Sequence, residues 1–300
     1  MTLAPPTVAL PASPLQRAAP LFFVLLWSTG FIGAKLGLPY AGPMTFLAVR
    51  FVLVTLLTAP LALLSGARWP RRPMLLIHIA VVGLLMQFIY LGGVFIGIAH
   101  GVPAGISALI VGLQPVLTAA LAGLVLGETI RPRQWLGLGL GLVGVALVVI
   151  NPALFDPDRL GAAGITGLAM IGITVGTLYQ KRFCTGADLR ATIVIQNAVA
   201  SLAMVPAALL FEPLTIDWSP RFIFAIAWLA IVLSVGATML LFYLIRHGAA
   251  SRVSSLFYLT PAVTAVMAFL LFGERLSPLA LVGMVLAAAG VWAVNTGTRA

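Results

Sequence analysis

The chain has 300 residues, of which 61% are hydrophobic and only 8% charged, with a net charge of +10. Soluble proteins carry charge on about a quarter of their residues, so a water-soluble fold is excluded and most of this surface must face lipid. The basic residues stand as ones, twos and threes between apolar runs rather than on one face, which sets aside nucleic acid as a partner.

Residues 1–17 are rich in Pro and Ala, with no basic segment ahead of an apolar run. They read as a disordered tail followed by a retained span, not as a cleaved signal. A spanning helix needs about 20 mainly apolar residues. Ten such runs follow, at about 18–37, 44–65, 74–99, 103–126, 133–150, 161–182, 189–211, 220–246, 250–272 and 278–296. They are too long, and alternate too little, for the strands of a membrane barrel. The expected fold is an all-α integral membrane protein with ten transmembrane helices.

Polar residues inside spans are costly and face the bundle interior. In chain order they are Trp27 and Thr29 in the first run, Arg50 in the second, and Gln87 and Tyr90 on one face of the third. Gln114 stands in the fourth, Tyr179 in the sixth, Thr238 in the eighth and Tyr258 in the ninth. Mid-run prolines, Pro115 and Pro261, interrupt the fourth and ninth. Each removes a helix hydrogen bond, tolerable in lipid only where protein or a wet cavity receives the freed carbonyl. Both helices are therefore expected to kink toward the interior. Gly139, Gly141 and Gly144 in the fifth run allow close helix packing and leave contact with a second copy open.

Orientation follows from the basic residues. Twelve of the seventeen fall on the side of the N-terminus and four, Lys35, Arg159, Arg221 and Arg275, on the other; Arg50 lies within a span. Both termini are expected in the cytoplasm.

The chain also repeats itself. "QPVLTAALAGLVLGE" at 114–128 returns as "TPAVTAVMAFLLFGE" at 260–274. A constant offset of 146 pairs Pro115 with Pro261, Thr118 with Thr264, Glu128 with Glu274 and Gly144 with Gly290. It also pairs Gly30 with Gly176 and Lys35 with Lys181. The duplicated unit is five helices, residues 18–150 and 161–296. Five is odd, so the second copy enters the membrane from the opposite side. Inverted repeats of this kind place a site at midplane between the halves and expose it to each side in turn.

These segments, with "LLWSTGFIGAK" in the first helix and "AVRF" in the second, resemble the drug/metabolite transporter superfamily, in its ten-helix EamA-type branch that includes YddG-like amino-acid exporters. The resemblance implies an inner-membrane exporter of amino acids or other small metabolites. It also implies a central cavity surrounded by helices 1, 3, 4, 6, 8 and 9, with 5 and 10 outside. Lipophilic drugs and sugars are the alternative cargoes, and a passive pore the alternative mode.

The expected site is neutral, hydroxyl-rich and partly aromatic, formed by Trp27, Thr29, Gln87, Tyr90, Gln114, Tyr179, Thr238 and Tyr258, with Pro115 and Pro261 as hinges. Arg50, about 10 Å from its helix end by helix rise, has two readings. One is a gate or structural ion pair with Glu274, which ends a helix on the same side; the other is a receptor for a substrate carboxylate. Lys35 and Lys181 are expected to snorkel. The single cysteine and the spacing of three histidines point to no disulfide, metal or cofactor. Neither H-E-x-x-H nor a nucleophile–histidine pair suggests an enzyme. No acidic residue falls near the centre of a span, so coupling is expected to be weak or to use unusual groups.

Overall fold

A computed structural model describes residues 14–126, 132–149, 157–237, 239–240, 244, 257–275 and 277–296. Glu128, Thr238, most of the tail and the first residues of the ninth run lie outside them, as does the side chain of Tyr258.

Most of the described residues are helical. α1 is Pro14–Gly37, α2 Pro43–Leu64 and α3 Pro73–Ala99. α4 comes in two pieces, Ala104–Gly112 and Gln114–Leu126, followed by α5, Pro132–Val149. The second half gives α6, Pro157–Phe183; α7, Leu189–Phe211; and α8, Pro220–Ala237. It ends with α9, Thr260–Phe272, and α10, Pro278–Thr296. Six of these, α1–α3 and α6–α8, are each long and apolar enough to cross a bilayer. The shorter apolar helices are the fourth and fifth of each half.

The helix starts follow from the sequence. Proline opens α2, α3, α5, α6, α8 and α10, where its missing N–H has no partner to lose and its φ suits the first turn. Ser219 and Asp188 cap α8 and α7 through their side-chain oxygens. α9 stops on Gly273, whose φ of 68° belongs to the left-handed region that glycine enters freely.

The two halves pack reciprocally. α1 lies against α8 and α9, and its counterpart α6 lies against α3 and α4. α2 packs on α7, α4 on α9 and α5 on α10, each helix on its own repeat mate. The α5–α10 contact shows the symmetry at atomic scale. A Cβ on Gly144 would lie 2.6 Å from the carbonyl oxygen of Gly283, and one on Gly290 would lie 2.5 Å from that of Gly137. Gly137 and Gly283 are themselves partners at the 146-residue offset.

Two further features come in mirrored positions. α4 breaks at Leu113, immediately before Gln114 and Pro115; α9 is preceded by a 3₁₀ turn, Phe257–Leu259, immediately before Thr260 and Pro261. The middle of α3, Leu84–Leu91, and the second half of α8, Trp228–Ala237, are wound as π-helix. Such segments are uncommon and concentrate at functional sites.

At one end of the bundle the carboxylate of Glu212 accepts from the amides of Met44 and Thr45, each at 2.8 Å, and so caps α2. Phe46 beneath it packs on Phe95 and Phe222, with ring centres 5.4 and 5.1 Å away. Aromatic rings pack together at this end. At the opposite end Asp188 accepts from the Arg68 amide at 3.0 Å, and the Arg190 guanidinium donates to the carbonyl of Ser65 at 2.6 Å. Leu56, Leu64, Leu202, Leu210, Leu271 and Val285 are exposed on the outer surface, as a lipid-facing wall requires.

Candidate functional site

A cavity of about 210 Å³ lies at the centre of the bundle. Its walls come from both π segments, Gln87 and Tyr90 on α3 and Ser234 on α8, and from Trp27, Arg50 and Asn197 on α1, α2 and α7. A smaller cavity of about 60 Å³ shares Trp27, Phe31, Tyr90 and Ile173 with it and adds Gln114, Pro115, Thr260 and Pro261. Both prolines thus face one space, from opposite halves. The break in α4 leans directly on the other proline: a Cβ on Gly112 would lie 2.8 Å from Pro261 Cγ.

The winding of the π segments bears on what the walls can offer. A π turn shifts hydrogen bonds from i−4 to i−5 and turns successive side chains differently from an α turn. The Ser234 hydroxyl donates to the carbonyl of Leu229, five residues back, at 2.9 Å. Gln87 and Tyr90 both face the cavity.

The other expected site residues divide. Gln114 lines the smaller cavity, its amide nitrogen 3.3 Å from both Thr118 Oγ1 and Thr177 Oγ1. Trp27 stands between Phe23 and Phe257, edge-on to the latter at 5.1 Å. Thr29 is used differently: its hydroxyl oxygen accepts from Trp228 Nε1 at 2.8 Å and ties α1 to the π segment of α8. Tyr179 is outside both cavities, with its hydroxyl 2.8 Å from His78 Nδ1 and its ring beside Phe183. Tyr258 is placed by its backbone alone, in the turn before Pro261.

The expected pairing of Arg50 with Glu274 is replaced. Glu274 pairs with Lys35 and also accepts from the amides of Ala104 at 3.1 Å and Gly105 at 3.4 Å. The reason is electrostatic: the N-terminus of α4 already favours an anion, and Lys35 completes the neutralisation. Lys35 therefore does not simply snorkel, and it also lies 5.1 Å from the centre of the Phe272 ring. Arg50 stays inside the cavity wall, 6% exposed, with Nη2 3.4 Å from Ser234 Oγ.

The expected ring of cavity helices also needs extending. α2 contributes Arg50 and Phe51, and α7 contributes Ile193 and Asn197, while the described residues of α5 and α10 line neither space. Asn197 was missed among the candidates although an amide inside an apolar helix is itself a signal. Its side chain donates to the Ile193 carbonyl at 2.8 Å and it is 5% exposed.

Comparison with known proteins agrees with this architecture. The EamA-like transporter family matches residues 18–150 and again residues 162–296. The uncharacterized transporter YvbV of Bacillus subtilis is 28% identical over 294 residues, covering 96% of this chain and 94% of its own. A probable amino-acid metabolite efflux pump of Escherichia coli K12 is 29% identical over 292 residues, covering 93% and 94%. A solved crystal structure superposes with a TM-score of 0.65 at 18% identity, over 94% of this chain and 98% of that one, and supports the fold. The chain is a multi-pass membrane transporter and belongs to the EamA-like transporter family.

Proposed function

We propose that this transporter exports small metabolites, amino acids foremost, across a bacterial inner membrane with both termini in the cytoplasm. The observation that carries the reading is the shared space between the two halves. The two π segments line the larger cavity, and the break in α4 and the turn before α9, at repeat-related positions, line the smaller cavity that shares four residues with it. Broken helices at the interface of inverted repeats are where carriers bind cargo. The volume of about 210 Å³ suits a molecule smaller than the usual drug-sized ligand. Amides, hydroxyls and aromatic faces surround it. The relative named as an amino-acid metabolite efflux pump supports the same class.

In this reading the Lys35 end is one gate, held shut by Glu274 and the Phe46 cluster. Rocking one half against the other breaks that packing and forms its counterpart at the opposite end. The test is uptake by purified protein in liposomes, with a panel of labelled amino acids. Saturable uptake with counterflow supports a carrier. Uptake that never saturates points to a pore, and movement of sugars or cationic drugs in place of the whole panel overturns the amino-acid assignment.

A further inference from the structure

Among the described residues, Arg50 is a buried cation with no anion paired to it. It is 6% exposed, its Nε has no hydrogen-bond partner, and Nη2 reaches only the Ser234 oxygen, at 3.4 Å. Ser234 is a weak partner at that distance, and its proton is already given to Leu229. A guanidinium has five donors and no acceptor capacity, and a lone one in a low-dielectric interior is costly. Buried charges persist where something answers them, and two carboxylates at this end are engaged elsewhere. Glu212 holds the N-terminus of α2. Glu274 holds Lys35 and the N-terminus of α4. Among the described residues lining the two cavities, Arg50 is the charged one; its neighbours Gln87, Tyr90, Asn197 and Ser234 are neutral.

We infer that Arg50 binds the carboxylate of the cargo, and that a carboxylate is the group this site selects. The inference rests on the exporter reading above and deepens it. A carboxylate meets the planar guanidinium fork with two parallel hydrogen bonds, which supplies the missing partner for Nε. The apolar body of the cargo then lies along Trp27, Phe31 and Tyr90, shared by both cavities. Thr260, whose buried hydroxyl also lacks a partner, faces the smaller cavity and can take a second polar group. The repeat mate of Arg50 is Gln196, so the anchor is one-sided. Cargo binds with its carboxylate toward the Lys35 end, which breaks the near-symmetry of the site.

The experiment compares three relatives of each amino acid in liposomes holding the full chain: the amino acid, its des-amino acid and its amide. The first two keep the carboxylate, and the third keeps only the ammonium. Competition by the acid and the des-amino acid but not by the amide is the expected result. Arg50→Gln should raise KM for both acids about 10- to 100-fold, with a smaller change in maximal rate, and erase the preference over the amide. Arg50→Lys should restore part of that preference. Ligand-induced thermal stabilisation in detergent reads the same ranking without transport. Equal competition by acid and amide in the unaltered protein, or an unchanged ranking in folded Arg50→Gln, overturns the inference and leaves the exporter reading standing. Saturable sugar uptake with no response to any carboxylate overturns both.

Discussion

The carboxylate of Glu274, at the end of α9, takes the Lys35 ammonium of α1 and the first amides of α4 together. Three helices from two inverted halves are thereby fastened at one point. The charges match: an anion sits at the positive end of α4 and a cation sits on the anion. Glu274→Gln keeps the shape and loses the charge. The expected cost is about 1–2 kcal/mol of stability and, more tellingly, a looser end. With Cys184 replaced by Ala and a reporter Val94→Cys in the cavity wall, a membrane-impermeant thiol reagent applied from the Lys35 side should label Glu274→Gln faster. Unchanged labelling would make the pair a fastening with no part in gating. Exchanging the residues, Lys35→Glu with Glu274→Lys, should recover only part of the effect, because a lysine at the α4 N-terminus opposes the helix dipole.

A second carboxylate makes a pH prediction. Asp188 caps α7, and the Arg190 side chain, helped by the Arg68 amide, holds its carboxyl well below the usual carboxylate range. A depressed folded-state value means stability that is fully present above the unfolded value, about pH 4, and lost as pH falls toward the folded one. Arg190 is half exposed, so solvent screens part of the pair. Asp188→Asn should lower the unfolding temperature by a constant amount between about pH 5 and 8, with the gap to the unaltered protein closing only in more acid solution. A gap that widened on acidification would contradict the assignment.

The spans, the two bends and the repeat could be read from the sequence because each rests on a local signal. Apolar length, a proline in an apolar run and the recurrence of Gly-Glu at one offset need no tertiary information. The π segments had no such signal. LLMQFIYL and WLAIVLSVGA read as ordinary apolar helix, and their winding depends on what packs beside them. Gly172 and Gly176 of α6 let the α3 segment approach closely, since a Cβ on either would lie within 2.8 Å of Ile89 or Met86. Depth could be read and direction around the helix could not. Arg50 and Glu274 were expected to pair at one end, but Lys35 faces Glu274 and Arg50 faces the cavity. Thr29 looked like a site residue for the same reason, and its hydroxyl is used by Trp228 from a helix 199 positions away.

The α5–α10 seam gives a clean packing test. At Gly144 and Gly290 a methyl group would meet backbone carbonyls, at 2.6 and 2.5 Å, and backbone cannot rotate aside as a side chain can. Gly144→Ala or Gly290→Ala should each cost about 1–3 kcal/mol, by similar amounts because the two contacts mirror each other. The double change should fall short of the sum, since the first already separates the helices. Gly139→Ala, with nothing within 4 Å, is the control and should leave thermal unfolding in detergent nearly unchanged. A large loss in the control, or none at the seam, would mean that these helices do not pack as described.

The prolines should separate motion from folding. Pro115 follows the break at Leu113, Pro261 follows the turn Phe257–Leu259, and both face one small cavity. Alanine at either position restores an N–H and removes the ring's clash with the carbonyl four residues back. The chain through the preceding interruption can then close into continuous helix, and the reason to bend is lost. If the bends are hinges between two transport states, straightening one favours whichever state bends it less, and turnover falls while the protein remains stable. Pro115→Ala and Pro261→Ala are expected to accumulate in the membrane and unfold at temperatures close to the unaltered protein, with transport slowed about tenfold, the rate equivalent of roughly 1.4 kcal/mol in a barrier. Parallel loss of yield and transport would assign the prolines to packing. Their mirrored positions add a finer expectation. Each bend belongs to the opposite half, so the two variants should bias the carrier toward opposite faces. The same Val94→Cys reporter can detect this, with labelling from the Lys35 side increased by one substitution and decreased by the other.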